Sequence, residues 1–316
     1  MTMKLKERPA ASASADSRRA PPESTGRRGL SQTQIALALV APALVLYGVV
    51  LLYPLIASLW VGLFDRSLVR PGSEFVGLQN VLDVLSEDFV GLTLRTLVFA
   101  TGATVLPFLI AFGLALLLNQ GIKGQGALRG ILLFPWILPG VVVSFLWLWI
   151  FNPNNGVLNG ALRELGLIEE NLNVFTSPWQ SMLLIIVAKA WQTFPWVMVM
   201  MLAGLQAVSR DLLEAVSVDG GGTLRRFWHV TLPSLRGIIF TVLLLELLWN
   251  FQHFEMIWVL TRGGPADATT TFSVELYETA FQSFDLGRAG AVGILWLAVL
   301  SIPVWLFTKY GDRRVR

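Results

Sequence analysis

The sequence has no cysteine and only two histidines, His229 and His253, among its 316 residues. Without cysteine there are no disulfides, no thiolate nucleophile and no Cys-based metal site, and the redox compartment is left unspecified. With two histidines a histidine-rich metal centre is excluded as well, so no metal site is expected. Charge is scarce: Asp, Glu, Lys and Arg make up 14% of the chain, against about 25% in soluble domains. The net charge of +3 is too small to argue for nucleic acid as a partner. No Gly-x-x-x-x-Gly-Lys-Ser/Thr run occurs, so the chain carries no phosphate-binding loop of its own for ATP. No Ser-His-Asp or paired-carboxylate constellation stands out, which argues against an enzyme.

What is abundant is apolar surface. Hydrophobic residues make up 54% of the chain, mean hydropathy is +0.62, and there are 12 Trp and 19 Phe. Lipid, not water, is the expected solvent. Six runs reach the roughly 20 residues needed to cross about 30 Å of hydrocarbon: 35–64, 94–119, 130–151, 181–206, 237–261 and 288–308. Backbone polar groups in lipid must be satisfied internally, so each run is read as a helix, giving an all-α membrane protein of six transmembrane helices. The first run exceeds the need, which predicts tilt or extension beyond the bilayer. Solid apolar runs, lacking strand-like alternation, exclude a β-barrel. Gly91 and Gly113 are read as close-packing points between helices.

Basic residues orient the chain. Of 24 Lys and Arg, 17 lie in the tails 1–34 and 309–316 and the loops 120–129 and 207–236; the loops 65–93, 152–180 and 262–288 hold 5. The positive-inside rule then places both termini and loop 207–236 in the cytoplasm of a multi-pass protein of the plasma or inner membrane. Residues 1–34 read as a disordered basic tail. A cleaved signal peptide is disfavoured, because the apolar run after the tail is too long for an h-region. The domain division is then a first helix at 35–64, an outer loop at 65–93, a transmembrane domain at 94–308 and a C-tail at 309–316.

Loop 207–236 is the most informative segment. Ser209 reads as an N-cap of a short helix carrying Leu212, Leu213, Val216 and Val218. Gly220-Gly221-Gly222 ends that helix, since glycine tolerates the left-handed stop. Thr223 is read as the cap of a second helix with Leu224, Phe227, Trp228 and Val230 as its apolar stripe. Pro233 should interrupt that helix before the fifth span. An amphipathic loop resting on headgroups needs neither a triple glycine nor a fixed distance to Leu-Pro.

The spacing Glu214-Ala215, Gly220 and Leu232-Pro233 resembles the coupling motif of ABC importer permeases, Glu-Ala-Ala, three residues, Gly, nine residues, Ile, one residue, Leu-Pro. Asp219 and Phe227 fit the sugar-importer version of that motif. Three positions depart from it: Val216 stands for Ala, Gly221 for the common Ala and Val230 for Ile. The segments 260–265, 269–287 and 75–80 also resemble carbohydrate permeases, closest to the maltose and glycerol-3-phosphate branch of binding-protein-dependent importers. The resemblance covers roughly residues 35–310.

The resemblance implies a type I ABC importer transmembrane domain. It implies a second permease, making a heterodimer, ATPase subunits that bind the ATP, and an extracellular solute-binding protein that delivers a carbohydrate. It places Glu214, Ala215, Asp219, Gly220, Phe227, Leu232 and Pro233 at the ATPase coupling site. No cofactor of the chain's own is expected. For the cargo, polar and aromatic side chains inside spans are the candidates: Trp249, Asn250 and Gln252 in the fifth, Trp191 and Gln192 in the fourth. Lys189 is read as structural, pairing with an acid such as Glu246. Competing readings are an ABC importer permease for glycerol-3-phosphate, an amino acid or a peptide, and a secondary carrier, which six spans without an internal repeat disfavour.

Overall fold

Long apolar runs fold as long helices, and a computed structural model describes residues 31–121 and 123–315, with only the backbone for 307, 308 and 310–315. Most of the tail read over 1–34 thus lies outside the described residues. The chain divides into two units, residues up to Tyr53 and Pro54 onward. In the first unit α1 (Gln32–Tyr47) opens on a capping box: Ser31 Oγ accepts from Gln34 N and Gln34 Oε1 accepts from Ser31 N. A π-helical turn, Gly48–Leu52, follows.

The second unit opens with α2 (Tyr53–Val61) and a two-stranded antiparallel ribbon, β1 (Phe64–Asp65) with β2 (Glu74–Phe75), Phe64 opposite Phe75. Next come α3 (Gln79–Ser86), α4 (Phe89–Leu118), α5 (Gln125–Ile137), α6 (Gly140–Ile150), α7 (Val157–Glu164) and α8 (Pro178–Gln206). The loop helices α9 (Arg210–Val218) and α10 (Thr223–Arg226) precede α11 (Leu232–Phe251), α12 (Glu255–Thr261), α13 (Phe272–Tyr277) and α14 (Leu286–Val315). Among the described residues five helical stretches are long and apolar enough to cross a membrane, and a sixth arises if α5 and α6 count as one span.

Three buried clusters hold this unit together. One gathers Phe99, Ala103, Val143, Ile185, Met256 and Ile257. A second, toward the α9–α10 end, gathers Ala111, Leu118, Val197, Met201 and Leu235, and a third gathers Val84, Leu92, Phe251, Phe272 and Val292. Small residues let backbones meet. A Cβ on Gly62 would lie 2.8 Å from the Gly290 carbonyl carbon, and one on Gly290 would lie 2.6 Å from Gly62 Cα. The two glycines read from sequence as packing points behave otherwise. Gly91 faces the Asp88 carboxylate, and Gly113 has nothing within 4 Å of its missing Cβ.

Two expected straight spans are broken. The third, read as 130–151, is α5 and α6 bent by 94°. The residue before a proline is pushed out of the helical region, and Leu138, ahead of Pro139, takes ψ 136. The fifth, read as 237–261, ends at Phe251, and α12 starts afresh at Glu255. The break is satisfied locally, since Ser273 Oγ donates to the His253 carbonyl at 2.8 Å. The boundaries at 93 and 309 also shift. Helix α4 already begins at Phe89, and α14 runs on through the segment read as a C-tail.

Candidate functional site

Helix α9 ends where its glycine run begins. Gly220 takes φ +75, its N–H donates to Ser217 O at 3.1 Å, and Gly221 N–H donates to Val216 O at 2.8 Å. Together these are the two bonds of a Schellman stop, with Asp219 as C-cap and Gly220 as the left-handed residue. A Cβ on Gly221 would fall 2.5 Å from Val216 Cγ1 and 2.6 Å from its carbonyl oxygen. Two of the three departures from the motif therefore touch: a valine at 216 faces a glycine at 221, where an alanine would collide.

Glu214, Ala215 and Asp219 are exposed, and Val218 is 87% exposed. Helix α10 touches α9 on one side, where Arg226 Nη1 donates to Ser217 Oγ at 3.4 Å and Leu213 and Val216 are half-buried, and the opposite face stands open. Phe227 anchors the loop, its ring 6.2 Å from Phe112 of α4 and 5.5 Å from Trp228. The stripe expected on the second helix splits. Val230 is buried, Phe227 half-buried, and Leu224 and Trp228 stand exposed.

Three local expectations are corrected. Ser209 occupies the N-cap position of α9, but its side chain makes no capping hydrogen bond. The N-cap of α10 is Gly222, at φ −70 and ψ 176, so Thr223 is already the first helical residue. Pro233 does not interrupt the chain. Helix runs from Thr223 to Phe251, with a π-helical turn at Phe227–Thr231 and Leu232 N–H bonding to Phe227 O. A wider turn just ahead of the proline gives its ring room without breaking the rod. Leu232 and Pro233 are half-buried at the start of α11.

The candidate cargo residues fall in three places. Asn250 is 1% exposed and its Nδ2 faces Ala103 O at 3.0 Å, Thr104 Oγ1 at 3.2 Å and Glu246 Oε2 at 3.3 Å. Its Oδ1 has no partner among the described residues. One turn further on, His253 stacks against Phe99 at 6.1 Å. Trp191 meets Trp147 edge to face at 6.2 Å, and Gln192 Nε2 donates to the Leu138 carbonyl freed by the bend, at 3.3 Å. Trp249 is half-exposed and packs on Trp196 at 5.0 Å, while Gln252 is exposed and bonds back to Leu248 O. Asn250 is thus not brought together with Trp249, its neighbour on the same helix.

Lys189 and Glu246 make no ion pair within 4 Å among the described residues, against the expected pairing, although the fields of Glu246 and Glu255 both reach the lysine. Glu255 lies in the same predicted span, 237–261, as Glu246. Its Oε2 lies 2.6 Å from where a Cβ of Gly140 would be, at the first residue after the bend.

The opposite end of the bundle is tied by ion pairs. Arg288 meets Glu87 through two bonds of 2.6 Å and Glu275 at 3.4 Å. Arg95 pairs with Asp88 at 2.7 Å and donates to Thr270 O at 3.0 Å. The Arg288 guanidinium holds the Glu87 carboxyl below its ordinary 4.5, whereas burial, with Glu275 and Asp267 nearby, raises that of Glu278. Glu87, Asp88, Arg95, Asp267, Glu275 and Arg288 line a cavity of about 260 Å³.

A family model described as "binding-protein-dependent transport system inner membrane component" matches residues 92–316. The trehalose/maltose transport system permease protein MalF of Thermococcus litoralis is 32% identical over 295 residues, covering 92% of this chain and 98% of that one. The sn-glycerol-3-phosphate permease protein UgpA of Agrobacterium fabrum is 33% identical over 284 residues, covering 88% and 94%. The sulfoquinovosyl glycerol permease protein SmoG of the same organism is 32% identical over 272 residues, covering 85% and 88%. Among solved structures, a bacterial alginate ABC transporter in complex with alginate pentasaccharide-bound periplasmic protein superposes with TM-score 0.76 at 22% identity, over 89% of this chain and 94% of that one.

Proposed function

The chain belongs to the binding-protein-dependent transport system inner membrane components, and within that family we propose that loop 207–236 is the lever by which separate ATPase subunits drive it. The protein is the permease subunit of an ABC importer for a carbohydrate, a multi-pass protein of the inner membrane and a transport subunit, not an enzyme. It works with ATPase subunits, a second permease and an extracellular solute-binding protein.

One observation supports the lever: a helix stopped rigidly at Gly220, open on its outer surface and joined through the short glycine turn to helix that runs unbroken from Thr223 to Phe251. A push on Glu214, Ala215 or Asp219 passes through Phe227, Leu232 and Pro233 into a rod that carries Asn250. ATP hydrolysis belongs to the partners, and both termini lie with the loop in the cytoplasm, following the basic residues. Along the pathway Asn250, Trp191, Gln192, Trp249 and Gln252 meet the cargo. Asn250 offers an unpartnered acceptor, and the tryptophans offer faces for sugar rings.

The test is uptake by the complete importer in proteoliposomes, with ATPase activity read in parallel. A residue with a Cβ in the left-handed region costs about 1–2 kcal/mol, so Gly220→Ala is expected to lower uptake about tenfold while ATP hydrolysis persists. Gly220→Pro, which cannot take positive φ, abolishes uptake on this reading. Normal uptake by the proline variant would refute the lever.

A further inference from the structure

Helix α3 (Gln79–Ser86), with its N-cap Leu78, belongs neither to the coupling loop nor to the cargo residues, and its side chains divide three ways. At about 100° per residue, Val81 and Val84 share one side, Leu78, Leu82 and Leu85 a second, and Gln79, Asp83 and Ser86 a third, each set within about 60°. The valine side is buried in the cluster that holds Leu92 and Val292. Beside it Asn80 Nδ2 donates to Gly62 O and Phe64 O, both at 2.9 Å. The polar side is exposed and bonds to itself, Gln79 Nε2 donating to Asp83 Oδ1 at 2.7 Å. Between the two lie the three leucines, all exposed.

The level of this helix follows from its neighbours. Phe112 of α4 meets Phe227 of the coupling loop, and α3 joins the far end of α4 through Glu87 and Asp88, about 35 Å away. Helix α4 is about 45 Å long, about 15 Å more than hydrocarbon requires. Arg95, paired with Asp88, sits about 9 Å inside its start, and such a pair does not stand in hydrocarbon. The first turns of α4, and α3 with them, therefore occupy the headgroup layer. On α4 the exposed side there is also apolar, with Val90 and Leu94. Rings gather at the same level. Trp60, at the end of α2, lies 5.7 Å from Phe64, and Phe64 lies 5.3 Å from Phe75, with Trp60 and Phe75 exposed. Aromatic side chains of this kind mark the boundary between membrane and water.

We infer that α3 lies along the membrane surface at the end opposite the coupling loop, with Leu78, Leu82 and Leu85 sunk into the boundary between headgroups and acyl chains. Core on one side, lipid on the next and water on the third account for all three faces of the helix. Asn80 fastens α3 to the end of α2, and Arg288 grips Glu87 through two bonds of 2.6 Å from the start of α14. The lipid surface thereby holds the ends of α2, α4 and α14 at one depth.

The test uses the complete importer in nanodiscs, with any cysteines of the partner subunits replaced. This chain has none of its own, so it takes one nitroxide label at a time, at Leu82→Cys, Leu85→Cys, Asp83→Cys or Ser86→Cys. Collision with oxygen, which partitions into lipid, is compared with collision with a neutral water-soluble nickel chelate. Labels at 82 and 85 are expected to meet oxygen several-fold more than the chelate, and labels at 83 and 86 to show the reverse. An excess of chelate collisions at all four positions would overturn the inference. So would labels at 82 and 85 that neither reagent reaches, since a protein surface would then be the cover. Chelate collisions at 82 and 85 that vanish only when the solute-binding protein is added would assign the leucines to that protein instead of lipid.

Discussion

Gly221 and Val216 show how far one residue can be traced. Each alone is a small departure from the coupling motif, yet the missing Cβ at 221 points straight at Val216 Cγ1. Gly221→Ala is therefore expected to fray the end of α9 and to halve uptake or worse, an overpacking cost of about 1–3 kcal/mol. Adding Val216→Ala recovers part of the loss, because the clash with the carbonyl oxygen stays. Uptake assays on the single and double variants decide it. Two carboxyls at the other end of the bundle titrate in opposite senses. Glu87 is lowered below 4.5, so its contribution to stability is present above that pH and is lost as pH falls through the folded value. It is mostly exposed, so Glu87→Gln should lower the thermal midpoint at pH 7 by no more than about 2 °C and remove that acid-range loss. Glu278 is raised above 4.5, so its ionisation opposes folding as pH climbs. Glu278→Gln should raise the midpoint at neutral pH by about 1–2 °C and have no effect well below pH 4.5.

At the scale of elements, the spans were legible and their breaks were not. An apolar run of 22 residues from 130 to 151 announces a membrane segment, but Leu138-Pro139 inside it is equally compatible with a kink or a sharp bend. What selects the 94° bend is tertiary: Gln192 takes the freed Leu138 carbonyl and Glu255 fits over Gly140. The stop of α9 was readable because three glycines in a row have few other uses, and the motif spacing put the bend at Gly220, the residue that turns left-handed. Asn250 could be chosen as a polar residue in a span. Its partners Ala103 and Thr104 lie almost 150 positions away, and the Arg288–Glu87 pair is 201 apart, so neither had a local signal. The crossing of α2 and α14 gives a sharp test. Gly290→Val would force a side chain into the Gly62 backbone, and a drop of several degrees in thermal midpoint is expected. An unchanged midpoint would mean that the two helices part easily.

For the whole molecule, the orientation rests on where 17 of 24 basic residues lie. A chain without cysteine is a clean background for single-cysteine labelling from either side of intact cells. Ser209→Cys should react only after permeabilisation, and Ser73→Cys should react with a membrane-impermeant maleimide at once. The reverse pattern would invert the topology and remove the lever from the ATPases.

The bent third span also constrains how the protein is made. Helices α5 and α6 are about 20 and 16 Å long, each too short to cross hydrocarbon alone, so only the pair together, across its 94° bend, makes the third span. The residue that quiets the exposed carbonyl at the bend, Gln192, is synthesised more than fifty positions later. A nascent chain that has not yet delivered α8 has no way to hold the elbow in lipid. Bending is then an act of assembly after insertion, and ribosome-stalled chains ending before residue 178 should carry this segment straight.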